Sequence, residues 1–110
     1  MNVIGEVQGC NCVVFDDVIS TGKTIALAAE ALRGKGAKEI YVGATHAAFS
    51  DQTASVLEKS PVREVVVTDS VYQPPGRLGS SKIKVKSVNK LLGEAIRRIH
   101  EERSLSSLFV

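Results

Sequence analysis

Three stretches of the chain are apolar almost without interruption: V-V-F at residues 13–15, I-Y-V-G-A-T at 40–45 and E-V-V-V-T at 64–68. Runs this short and this apolar suit strands of a parallel sheet buried on both faces. Between the first two, Ile25, Ala28, Ala29 and Leu32 recur at helical spacing with Glu30 and Arg33 off that face, and Gly34 and Gly36 close the segment. Strand, helix and strand within about thirty residues form a βαβ unit with parallel strands and a right-handed crossover. Ser50 or Asp51 is expected to cap a short helix through Leu57 and Lys59, ended by Pro61. Residues 72–82 have loop composition, and the alternating I-K-V-K-S after them predicts a strand with one wet face near a sheet edge. From Val88 to Glu102, Leu91, Leu92, Ala95, Ile96 and Ile99 share one stripe, which predicts an amphipathic helix. A further short strand is expected in N-V-I-G-E-V-Q at 2–8, and the tail S-L-S-S-L-F-V is apolar enough to be expected against the body or another subunit. The pattern as a whole predicts an α/β fold with a mainly parallel sheet and helices on both faces, a three-layer arrangement.

Composition narrows the function without assigning it. The 110 residues make one domain, and 44% apolar with 24% charged residues is ordinary for a globular chain. A net charge of +2 is too mild to argue for nucleic acid, and no apolar run approaches the roughly 18 residues of a membrane span or forms a signal peptide. Cys10 and Cys12 have no further Cys beside them and only two His elsewhere, so a four-ligand zinc site is not expected; free thiols in a cytoplasmic protein are.

The chemistry concentrates in V-F-D-D-V-I-S-T-G-K-T, residues 14–24. A strand surfaces at two adjacent carboxylates, Asp16 and Asp17. The turn Ser20, Thr21, Gly22, Lys23 and Thr24 then leads into the first helix. Free N–H groups at a helix start, the helix dipole, hydroxyl donors and a glycine that admits close approach together suit an anion. The carboxylates do not bind phosphate; they suit sugar hydroxyls or a shared cation. One ligand with a polyol part and a phosphate part follows. A Walker loop would need glycine five residues before the G-K pair, and Asp17 stands there. An N-capped helix with solvated aspartates explains the hydroxyls but not the paired acids. Thr45 and His46 fall near the C-terminal edge of the sheet, where open α/β proteins bind ligands, although a lone His there is more often structural.

This stretch resembles the phosphoribosyl pyrophosphate signature of type I phosphoribosyltransferases and ribose-phosphate pyrophosphokinases. I-G-E-V-Q-G at 4–9, A-A-E-A-L-R-G-K-G-A-K at 28–38, A-T-H-A-A-F-S at 44–50, E-A-I-R-R-I-H at 94–100 and S-L-S-S-L-F at 104–109 extend the similarity along the chain and narrow it to the pyrophosphokinases. The resemblance implies a phosphoribosyltransferase-like (Rossmann-like) domain, truncated on its N-terminal side, that is the C-terminal portion of such an enzyme. It implies Asp16 and Asp17 on the ribose hydroxyls, directly or through Mg²⁺, and Ser20, Thr21, Gly22, Lys23 and Thr24 on the 5-phosphate of ribose 5-phosphate or phosphoribosyl pyrophosphate. Ser20 and Lys23 depart from the acid and small residue of many family members, and Lys23 brings bulk as well as charge. ATP, the co-substrate of the full-length enzyme, would be bound by parts with no counterpart in these residues, so no catalytic residue is assigned here. A non-catalytic binding or regulatory module and a phosphoribosyltransferase fragment are the alternatives. The family also implies a homo-oligomer. Val3, Ile4 and Val7 at one end and Leu105, Leu108, Phe109 and Val110 at the other are expected to close exposed edges, by self-pairing or exchange of terminal segments.

Overall fold

The computed structural model describes residues 3–109. Its element order is β1 (Asn11–Ile19), α1 (Lys23–Gly34), β2 (Glu39–Ala47), α2 (Thr53–Lys59), β3 (Glu64–Thr68), β4 (Ile83–Lys86), α3 (Asn89–His100) and a 3₁₀ turn at Ser106–Phe109. The four strands form one sheet in sequence order, β1-β2-β3-β4, and every neighbouring pair is parallel. The α/β architecture with a parallel sheet is therefore the one the apolar runs predict. β1 is longer than its apolar run, because its pairing with β2 continues past Phe15 through Asp16↔Ala44 and Val18↔His46 to Ile19↔Ala47.

Side-chain alternation sorts the sheet into two unlike faces. On one, Ile40 and Val42 of β2 and Val65 and Val67 of β3 are buried with Ile25 and Ala29 of α1 and Leu57 of α2. On the other, Val13, Phe15, Tyr41 and Val66 line an open groove of about 410 Å³. Phe15 lies flat across Gly43, where a Cβ would come within 3.1 Å of its ring, yet it is 81% exposed. Of the three layers expected, the described residues supply two. α1 and α2 cover one face, and α3 covers neither: none of its residues is buried, and Leu92, Ile96 and Ile99 face solvent.

Three local expectations change. Residues 3–10 make turns and bends rather than a strand, since Gly5 and Gly9 adopt left-handed φ values of 104° and 72° that break an extended run. Val7 nevertheless packs against the core. Neither Ser50 nor Asp51 caps α2; Gln52 precedes it, with no side-chain cap. The tail, expected against the body or another subunit, meets α3 through polar contacts and buries none of its apolar side chains. Arg98 of α3 donates to the Ser104 carbonyl at 3.2 Å and contacts the Ser107 hydroxyl, leaving Leu105 and Phe109 exposed. Asn2 and Val110, which figured in two of these expectations, lie outside the described residues.

Residues 72–82 form the expected loop and are tied down by long-range polar contacts. Arg77 reaches Asp51 and the Phe49 carbonyl, both at 3.1 Å. Lys82 Nζ donates to the carbonyls of Glu58 and Ser60, both at 2.9 Å, and lies 3.5 Å from that of Leu57, so a cation sits on the C-terminal carbonyls of α2. Leu57→Ala, in the core, is expected to cost about 2–5 kcal/mol in urea unfolding. Leu92→Ala, on exposed α3, should stay within about 0.5 kcal/mol.

Candidate functional site

Parallel pairing of β1 with β2 requires the chain to turn at the C-terminal end of β1 and cross over through α1. That turn is Ser20-Thr21-Gly22. Gly22 adopts φ 82° and ψ −1°, a left-handed conformation, and occupies the N-cap position of α1. A side chain there would be strained, and its Cβ would also meet Leu57 Cδ2 at 3.2 Å. The helix starts without a side-chain cap. Among the described residues, the N–H groups of Thr21, Gly22, Thr24 and Ile25 make no hydrogen bond, so several backbone donors at a helix start are free.

The structure gathers Asp16, Ser20, Thr21, Gly22 and Thr24, together with Val18, Ile19 and Ile25, around one cleft of about 100 Å³. Lys23 is exposed as the first residue of α1 and does not line it. Asp17 does not line it either: it sits one strand position beyond Asp16 and its carboxylate accepts the Val18 N–H at 2.9 Å. Asp16 accepts the Asp17 N–H at 2.8 Å. The Asp16 side chain first, and then the N–H groups of Asp17 and Val18, hold the Asp17 carboxyl below its ordinary 3.8, and His46 adds a smaller attraction. Each carboxylate has one oxygen committed to a backbone N–H and one not so engaged.

Thr45 and His46 come to the same edge of the sheet. Thr45 shares the open groove with Asp16. Its carbonyl accepts the Thr68 hydroxyl at 2.6 Å and the Ser70 hydroxyl at 3.2 Å, and His46 Nδ1 lies 2.7 Å from Ser70 Oγ. A Ser70 hydroxyl that donates to Thr45 and accepts from Nδ1–H satisfies both contacts and leaves Nε2 as the acceptor nitrogen. His46 is thus held by Ser70, just past the end of β3, rather than by the turn.

The residue that sequence reasoning missed is Thr53. It is fully buried, and its hydroxyl donates to the Ser20 carbonyl at 2.5 Å while accepting the Ser50 N–H at 2.9 Å. Its methyl and Leu57 back Gly22. The first residue of α2 therefore shapes a turn thirty-three positions earlier. Its only local signal is the hydroxyl three positions after Ser50.

Donor chemistry at this edge suits a small anion at the turn and a polyol at the acids. Among the described residues no three His, Cys, Asp or Glu side chains gather to hold a metal. A hard cation would take one oxygen from each of Asp16 and Asp17 and the rest from ligand and water, a donor set that fits Mg²⁺. No helix among the described residues is long and apolar enough to cross a membrane.

Comparison with known proteins identifies the family of the chain. Residues 1–110 match the family described as phosphoribosyl synthetase-associated domain. Ribose-phosphate pyrophosphokinases of Maricaulis maris and Vibrio parahaemolyticus are 48% and 44% identical over 99% of this chain and 35% of their own length. Ribose-phosphate pyrophosphokinase 1 of Streptococcus pneumoniae is 46% identical over 34% of its length. The crystal structure of phosphoribosylpyrophosphate synthetase from Mycobacterium smegmatis superposes with a TM-score of 0.84 at 37% identity, over 90% of this chain and 33% of that one. The chain thus spans about a third of the length of the relatives it matches.

Two outcomes are expected. Thr53→Val keeps the shape but leaves the Ser20 carbonyl and Ser50 N–H unpaired, so unfolding should show a loss of about 1–3 kcal/mol. In an NMR titration the Asp17 carboxyl should have its midpoint below 3.8, and Asp16→Ala should move it back up. Because folding lowers this pKa, Asp17 favours the folded state above pH 3.8, and the contribution disappears as pH falls through the lower folded value.

Proposed function

The chain belongs to the phosphoribosyl synthetase-associated domain family, and from that premise we propose that it is the part of a ribose-phosphate diphosphokinase that binds ribose 5-phosphate or phosphoribosyl pyrophosphate. The single observation that carries the reading is the cleft joining Asp16 to the Ser20–Thr24 turn, where helix α1 begins with free N–H groups. The 5-phosphate rests on that turn, receiving hydrogen bonds from backbone N–H and from the Ser20, Thr21 and Thr24 hydroxyls. Lys23, exposed beside the cleft, adds positive charge at longer range. Asp16 accepts from the ribose hydroxyls, and Asp17, kept ionised by its neighbours, holds the second acceptor position beside it.

In the whole enzyme the C1 hydroxyl oxygen of ribose 5-phosphate bonds to the β-phosphorus of ATP, the bond to the α-phosphate oxygen breaks, and AMP leaves. Mg²⁺, when bound, neutralises charge on the polyphosphate. The residues in hand contribute orientation: they fix the phosphate and the hydroxyls so that C1 is presented away from the turn. The chain is read as the C-terminal portion of a longer enzyme, a partial phosphoribosyltransferase-like domain acting in the cytoplasm, with ATP bound by the remainder. A second reading, a binding or regulatory module without chemistry, draws on Lys23, the one basic residue of the turn, standing outside the cleft.

Calorimetry with ribose 5-phosphate tests the binding site. Asp16→Asn, Asp17→Asn and Thr24→Ala should each raise Kd roughly tenfold, about 1.4 kcal/mol. Unchanged binding in all three places the ligand elsewhere. The chain alone should release no AMP from ATP and ribose 5-phosphate, and sustained turnover in a coupled assay contradicts that.

A further inference from the structure

Cys10 and Cys12 take no part in the candidate site, yet the fold sets them side by side. The Cys10 N–H closes a turn on the Val7 carbonyl at 2.9 Å, and β1 begins at the next residue. The Cys10 carbonyl accepts the Lys38 N–H at 2.7 Å, one step ahead of the Asn11↔Glu39 and Cys12↔Ile40 pairs that open the β1–β2 ladder. Cys10 is thus an extension of the strand, and an extended chain turns residues two apart to the same face. That face is the one the helices cover, since Cys12 pairs with buried Ile40 and itself packs against the core. Cys10 is exposed and Cys12 half-buried, so the pair opens to solvent at Cys10.

Neither thiol is strongly engaged. Among the described residues each makes one long S–H contact, Cys10 to the Gln8 carbonyl at 3.8 Å and Cys12 to the Cys10 carbonyl at 3.9 Å, and a thiol is a weak donor. A disulfide does not fit this backbone. It needs Cβ atoms about 3.5–4.5 Å apart, whereas same-face neighbours along a strand stand about 6.6 Å apart. Closing it would kink Asn11 out of its pairing with Glu39 and pull the Cys10 carbonyl off Lys38. Two metal–sulfur bonds of about 2.3 Å in line span about 4.6 Å, which the two side chains reach by torsion alone.

We propose that Cys10 and Cys12 form a two-coordinate site for a thiophilic cation of the Cu(I) kind. The ligand count selects the metal. Among the described residues no third His, Cys, Asp or Glu joins the pair, so Zn²⁺ lacks its four ligands, and hard cations lack their oxygens. Two soft thiolates suit Cu(I). Binding releases both thiol protons to water and leaves the oxidation state of the metal unchanged. The metal staples the turn at residues 7–10 to β1, reinforcing the packing of Val7 on the core and the Gly9 N–H bond to the Gly36 carbonyl at 2.8 Å. Nine-residue β1 spans about 26 Å, so this site stands at the opposite end of the strand from the Ser20–Thr24 turn and does not depend on what that turn binds.

Anaerobic titration of the full, reduced chain with Cu(I) against a chromogenic chelator should give one metal per chain. Cys10→Ser and Cys12→Ser should each weaken binding roughly a hundredfold, since one thiolate remains. Circular dichroism checks that both fold, and exposed Cys10 is the position where the change is safest. Zn²⁺ should bind roughly a hundredfold more weakly than Cu(I). X-ray absorption at the copper edge should show two sulfur neighbours and no nitrogen. A folded Cys10→Ser chain that binds Cu(I) as tightly as the parent overturns the proposal. So does a metal shared between two chains in sedimentation, a third ligand at the copper edge, or Zn²⁺ binding as tightly as Cu(I).

Discussion

Parallel strand pairing imposes a return path. β1 and β2 run the same way in register from Asn11↔Glu39 to Ile19↔Ala47, so the chain must leave the end of β1, cross the sheet and re-enter at the start of β2. The acids and the turn of the candidate site lie at the point of departure. The strand delivers Asp16 and Asp17 to the edge, the turn reverses the chain at Gly22, and the crossover helix begins there with its unpaired N–H groups pointing outward. A turn with free N–H donors beside two acids is a product of this connection and not of any one residue.

The connection alone would leave the turn loose. Its shape comes from α2, whose Thr53 hydroxyl holds the Ser20 carbonyl and whose Leu57 closes the space behind Gly22. Burial of Thr53 makes that bond matter, since its hydroxyl has no water to turn to instead. The acids, by contrast, are exposed, and the Asp17 carboxyl is held low first by the Asp16 side chain and then by the N–H groups of Asp17 and Val18. A rigid apolar support thus carries a solvated polar edge, with the two separated by a single turn of chain.

Much of this was legible in the chain. The runs at 13–15, 40–45 and 64–68 announce parallel strands, the Ile25-to-Leu32 spacing announces the crossover, and the paired acids before T-G-K-T mark the candidate site. What was not legible depends on contacts between distant segments. Thr53 looks like any residue at a helix start, and only the fold puts it under Ser20. Asp16 and Asp17 look equivalent, yet strand alternation sends only Asp16 to the cleft. The stripe on α3 predicts a helix with an apolar face, but periodicity says nothing of what that face meets; the third layer was inferred from the type of sheet, and the described residues do not provide it. Residues 3–10 carry apolar positions compatible with a strand, and two glycines with left-handed backbone decide otherwise.

Lys82 gives the site an unexpected dependence. Helix α2 has only seven residues and is clamped at both ends, by Thr53 on the Ser20 carbonyl and by the Lys82 ammonium on its last carbonyls. A rod of about 10 Å held in this way does not tilt at one end without moving the other. Local opening of the loop before β4 therefore frees the far end of α2 and unseats the support of the Ser20–Thr24 turn. Amide exchange in the site turn is therefore expected to respond to a lysine at the opposite end of the helix.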